Sequence, residues 1–138
     1  MPAERHDIDF YVAAVVDRLR KQTAHPVHYF PEQPSQFRLT DAKGAYLVSV
    51  LGRDYEPPQG SAGGWREYRL RIQLTVVSRA LSAGNHAAYT MLDEAYQALA
   101  GWRVNGRPLA PEREFFLSQE ADLWKYAAIY ALSHVRLR

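Results

Sequence analysis

The sequence predicts an α+β fold: a mainly antiparallel or mixed β-sheet with two helices packed on one face, in the order α-β-β-β-α-β-β. Three observations support this. Residues 65–79, WREYRLRIQLTVVSR, place Arg66, Tyr68, Leu70, Ile72, Leu74 and Val76 at every second position, with Glu67, Arg69, Arg71, Gln73 and Thr75 between them, the period-2 signature of a long strand with one apolar face. Two other segments, near residues 8–21 and 85–101, space their apolar residues at helical intervals. The chain has 138 residues with no internal repeat, so residues 1–138 read as a single domain with one core.

Composition narrows the function classes. No run of about 18 apolar residues occurs, so no membrane-spanning helix is expected. The start, MPAERHDIDF, lacks the basic and apolar regions of a secretory signal. With 0 cysteines, disulfides and thiolate metal sites are excluded. The formal charge is +2, and the basic residues are scattered rather than gathered into the stripe that a nucleic-acid-binding domain usually shows.

Taken in order, Asp7 is the expected N-cap of a helix over 8–21. Ile8, Tyr11, Val12, Val15, Val16 and Leu19 form its apolar side. Asp9 in the first turn and Arg18, Arg20 and Lys21 in the last suit the helix dipole. Pro26, Pro31 and Pro34 forbid a central strand, leaving 27–30 as a short edge strand that 36–39 could continue before a turn at 41–44. Residues 45–51, AYLVSVL, read as a strand buried on both faces. Residues 52–64 hold two prolines and four glycines and read as a flexible hairpin loop, either a binding element or a plain connection. The long strand over 65–79 follows.

The second helix covers 85–101, capped near Ser82 or Asn85, with Ala88, Met91, Leu92, Ala95, Tyr96 and Leu99 as its stripe and Gly101 as its stop. Asn105-Gly106 is the strongest hairpin signal in the chain. Residues 114–118, EFFLS, read as a strand, and 120–122 as a break. The last segment, 123–138, is ambiguous by composition. Ala127, Ala128 and Ala131 favour helix, whereas Trp124, Tyr126, Ile129 and Tyr130 favour strand. Strand is the preferred reading, because a strand as long as 65–79 needs long partners for its backbone groups.

Sites for chemistry are sparse. His25 and His28 would point to opposite faces of an extended segment. The glycine-rich run at 60–64 lacks the ending of a phosphate loop. Asp93 and Glu94 are adjacent on a helix and diverge by about 100°. His86 and His134 are isolated in sequence and read as structural or exposed. No catalytic, cofactor-binding or metal-ligating residue is expected, and the protein is not expected to be an enzyme. Association remains. Glu67, Arg69, Arg71 and Gln73 on the polar face of the long strand, with Arg53, Asp54 and Tyr55 of the adjoining loop, form the candidate subunit or partner interface. The alternative for that face is plain solvation.

The layout also resembles a known family. The helix DFYVAAVVDRLR leads to GAYLVSVLGRDYEPP, a Gly/Pro insertion, REYRLRIQLTVVSRAL, the helix AAYTMLDEAYQALAG, a loop with Trp102, and the C-terminal EREFFLSQEADLWKYAAIYALSHVRLR. This is similar to the small tail proteins of Mu-like phages and prophages, and more distantly to the lambda U tail terminator. The resemblance implies a homo-oligomeric ring, a hexamer, that caps the tail tube, stops its polymerisation and presents a head-joining surface. The implied partners are further copies of the chain, the tail tube protein and a head–neck connector protein. No membrane partner is implied, nor nucleic acid beyond the passage of DNA through the ring. Its place would be the bacterial host cytoplasm during assembly, then the virion tail. The alternatives are a neck or baseplate adaptor of a phage tail or tail-like particle, or a small α+β ligand-binding domain or enzyme.

Overall fold

The computed structural model describes residues 7–30, 44–55, 67–79, 86–120 and 122–136. Helix α1 spans Asp7–Gln22 and α2 spans His86–Leu99. The strands are β1 (Val27–Tyr29), β2 (Gly44–Tyr55), β3 (Glu67–Arg79), β4 (Arg103–Val104), β5 (Arg107–Pro108), β6 (Ala110–Glu120) and β7 (Leu123–Arg136). Five of them form one sheet in the order β1-β2-β3-β7-β6, and β4 and β5 form a separate hairpin. Among the described residues only the β1–β2 pair is parallel. The fold is α+β, as the sequence predicts.

Strand β3 lies at the centre because its length gives two neighbours a template. It pairs with β2 from Ser78 down to Tyr68 and with β7 from Arg79 down to Glu67. Tyr68, Leu70, Ile72, Leu74 and Val76 point to the helices and are each no more than 1% exposed. Full burial of such side chains contributes about 1.5–3 kcal/mol each. They pack against Val15, Val16 and Leu19 of α1 and Ala88, Met91, Ala95 and Leu99 of α2, all in one apolar cluster. The α1 contacts recur at three and four residues, the spacing that puts side chains on one helix face. Gly44 admits the close approach of α2: a Cβ there would sit 2.5 Å from Met91 Sδ and 3.0 Å from the Val77 carbonyl oxygen.

The ambiguous last segment resolves in favour of strand, with β7 covering Leu123–Arg136; residues 137–138 lie outside the described residues. Tertiary pairing with β3 and β6 overrides the helix preference of its alanines. The alanines have a packing reason: Ala128 faces the helix-side core, while Ala127 and Ala131 are buried on the other face. The Asn105-Gly106 hairpin also forms, with both residues at positive φ, 54° and 80°, the conformation a two-residue turn between strands requires.

Four expectations change. The strand expected to be buried on both faces over 45–51 is so only as far as Val48, and Leu51 is 53% exposed. Strand β2 continues through Gly52, Arg53, Asp54 and Tyr55, so the expected loop over 52–64 starts later; its residues 56–64 lie outside the described residues. The cause is a bulge between Val50 and Gly52, which resets the register so that β2 follows β3 as far as Tyr68. Tyr96, placed in the buried stripe of α2, is 46% exposed. The strand expected over 114–118 is longer, Ala110–Glu120, with bulges at Glu112 and Leu117. The cap positions Ser82 and Asn85, Trp65 and Arg66, and the segments 36–39 and 41–43 lie outside the described residues.

Candidate functional site

Alternation on β3 sends Glu67, Arg69, Arg71 and Gln73 to the face away from the helices. There Glu112 Oε2 accepts from Arg69 Nη1 at 2.9 Å, and Glu112 Oε1 accepts from Arg71 Nε at 2.8 Å. Arg71 is also ion-paired to Asp54, and Arg69 Nε donates to Ser133 Oγ at 3.2 Å. Glu112 belongs to β6, which is separated from β3 by β7. Its reach is possible because Ala131, the β7 residue paired with Arg71, carries only a methyl group. A larger side chain there would block the path. One carboxylate thus ties β6 to β3 across an intervening strand, and two arginines are neutralised by two acids.

The belt continues to the end of the sheet. Glu67 lies 3.1 Å from His134 Nδ1 and 3.7 Å from Arg136 Nε. His134 has φ 60° at the bulge where Ser133 and His134 together oppose Arg69. A non-glycine residue in that left-handed region is uncommon, and here it turns the end of β7. Arg107 Nε donates to the His134 carbonyl at 2.9 Å, which fixes the β4–β5 hairpin against the bulge.

The structure divides the candidate residues. Glu67, Arg69, Arg71 and Asp54 gather on the helix-free face. Gln73 shares that face but bonds Thr75 Oγ1 at 3.1 Å rather than the belt. Arg53 and Tyr55, by the register after the bulge, pair with Leu70 and Tyr68 and so point to the other face. The Arg53 guanidinium stands 5.5 Å from the Tyr55 ring centre and 5.2 Å from that of Tyr68, a cation–π arrangement. Sequence reading missed Glu112, Ser133 and Arg136. The available signal was the small residue at Ala131: a methyl group beside a central arginine leaves space for a partner from the next strand.

On the helix side, burial raises the Tyr46 hydroxyl above its ordinary pKa, with Glu94 and Tyr130 adding to the shift; it donates to the Met91 carbonyl at 2.7 Å. Burial likewise raises Tyr130, with Glu114 and Tyr96 adding. Burial and then the neighbouring Asp93 raise the Glu114 carboxyl. His25 Nε2 lies 3.7 Å from Glu94. Among the described residues no three His, Asp or Glu side chains group to hold a metal, and no helix is long and apolar enough to cross a membrane. A hollow of about 580 Å³ beside α1 is lined mainly by Ile8, Val12, Val48 and Val50, with one carboxylate, Asp9.

Fold and surface together define an α+β protein with helices on one side of its sheet and an ordered polar belt on the other. The chain belongs to the family described as Gp37 protein, which matches residues 15–137 and is phage-related. No curated protein matches the chain.

Proposed function

We propose that this protein is a tail-terminator-like structural component of a phage or phage-derived particle. It forms a ring that caps the tail tube, stops polymerisation and presents a surface for joining the head. Its work is geometric, not catalytic. Its partners are further copies of itself, the tube protein and a head–neck connector. It assembles in the host cytoplasm and remains in the virion tail.

The observation that carries this reading is the belt Asp54–Arg71–Glu112–Arg69. Its charges are already paired within the chain, so it offers a fixed pattern of positive and negative groups rather than a net charge. Such a pattern sets register and partner choice more than raw affinity. Membership of a phage-related family over residues 15–137 supports the same reading.

The test is a tube-assembly reaction followed by negative-stain microscopy. Added protein should appear as rings at tube ends and limit tube length. Tubes of unchanged length with bare ends would refute the capping role. Binding to other tail parts instead would favour a neck or baseplate adaptor.

A further inference from the structure

A second surface lies on the helix side. Tyr89, Asp93 and Tyr96 share one flank of α2, spaced four and three residues apart. Beside them Glu114 and Phe116 alternate onto the helix-facing side of β6, where they pair with Ala128 and Tyr126 of β7. Tyr89, Tyr96 and Phe116 are 48%, 46% and 51% exposed. The rings form an edge-to-face set: Tyr89 to Tyr126 at 5.8 Å and Phe116 to Tyr126 at 5.5 Å. Asp93 and Glu114 are close enough for one to raise the other's pKa, and among the described residues neither has a cationic partner. Beneath them the Tyr130 hydroxyl is buried and, among the described residues, has no hydrogen-bond partner. Aromatic faces beside two uncompensated carboxylates suit a guanidinium, which stacks on rings and donates to carboxylates.

The chain carries a matching element. The β4–β5 hairpin carries Arg103 and Arg107 around its Asn105-Gly106 turn, Arg107 with its Nε on the His134 carbonyl. Buried Val104 and Leu109 anchor it. Bonds of 2.8 Å link Gly101 N to the Leu109 carbonyl and Leu109 N to the Trp102 carbonyl. Arg103 Nη1 donates to the Gly106 carbonyl at 2.8 Å. A hairpin held this way has little freedom to lose on binding.

We propose that the acidic, aromatic strip of α2 and β6 docks the basic β4–β5 hairpin of a second copy of this chain. The aromatic set begins at Tyr89 near the start of α2, and the hairpin follows the end of α2. The strip and the hairpin are different patches of one chain, and a contact between different patches, repeated in one sense from copy to copy, is head-to-tail, the type that generates rings or filaments. This inference rests on the self-assembly proposed above and names the surfaces that make it.

Charge reversal on each side tests it. Asp93→Arg with Glu114→Arg, and separately Arg103→Glu with Arg107→Glu, should each give a folded monomer by circular dichroism and light scattering. Mixed one to one they should assemble again, because each acidic hairpin meets a basic strip. The milder pair Asp93→Asn with Glu114→Gln should weaken self-association at least tenfold, and it gives the same readout should a reversal fail to fold. Wild-type-like assembly of both reversal variants and of the milder pair would overturn the docking while leaving the ring intact. Failure of two folded monomeric variants to recover on mixing would overturn the pairing of these surfaces. A wild-type protein that stays monomeric would overturn the docking and the ring together.

Discussion

The two faces of the sheet are built from the same strands on different physical terms. Toward the helices, β3 presents Tyr68, Leu70, Ile72, Leu74 and Val76 to a continuous apolar cluster. On the other side it presents Glu67, Arg69 and Arg71 to a chain of ion pairs. The first face stabilises by removing apolar area from water, which is non-directional and large. The second contributes little stability per pair, since exposed ion pairs give about 0–1 kcal/mol each, but it fixes which charge sits where. One face makes the fold and the other makes it recognisable.

The contrast breaks most sharply at Ile72, which is 1% exposed on the helix side. Ile72→Asp should unfold the protein, at a cost of more than about 4 kcal/mol, because an unpaired charge enters the core. Loss of cooperative unfolding by circular dichroism checks it; a native-like melt would mean this face is not the core.

On the opposite face the sensitive position is Ala131. Ala131→Leu should cost about 1–3 kcal/mol through overpacking and should displace Glu112 from the two arginines. Hydrogen exchange at Glu112 and Arg113 should quicken while the β2–β3 pairing stays protected. Uniform protection would show that the reach across β7 does not hold β6.

Two buried tyrosines sharpen the accounting on the helix side. Tyr46→Phe should cost about 1 kcal/mol, since its hydroxyl bonds the Met91 carbonyl. Tyr130→Phe should be neutral or stabilising, since it removes a buried hydroxyl that has no partner among the described residues. Urea midpoints of the two variants should move apart; equal losses would contradict the difference.

The smallest effect is expected at Glu114. Its pKa is raised in the folded state by burial and by Asp93, so its ionised form is disfavoured by folding. The penalty is present above the folded-state pKa and relieved as pH falls through it. At a concentration where the chain is monomeric, Glu114→Gln should therefore raise the melting temperature slightly at neutral pH and give no gain at acid pH. A gain that persists in acid would assign the effect to something other than charge.

Much of this was legible in sequence. The period-2 run fixed which side of β3 meets the core, and the helical spacings of Val12, Val15, Val16 and Leu19 fixed the α1 face. Asn105-Gly106 marked its hairpin because few other pairs adopt positive φ so readily. The belt was half legible: Arg69 and Arg71 were visible, but Glu112 was not, since its strand starts at Ala110 and bulges exactly where sequence alternation cannot follow. The bulge after Val50 did the same to Arg53 and Tyr55, moving them to the helix side. A one-residue insertion changes every face assignment beyond it, and no local pattern announces it. The aromatic flank of α2 was missed because Tyr96 fits a buried stripe as well as an exposed one.

The most direct measurement is the mass in solution, by light scattering, of the wild type and of a fourfold swap: Asp54→Arg, Glu112→Arg, Arg69→Glu and Arg71→Glu. The swap keeps each internal ion pair while reversing the pattern shown outward. The wild type should scatter as a multiple of the 15.8 kDa chain, with rings in negative stain. The swapped protein should fold and still form rings through the hairpin contact, yet fail to cap wild-type tubes. A wild type that remains at 15.8 kDa at every concentration, or a swapped protein that caps tubes as well as the wild type, would contradict it.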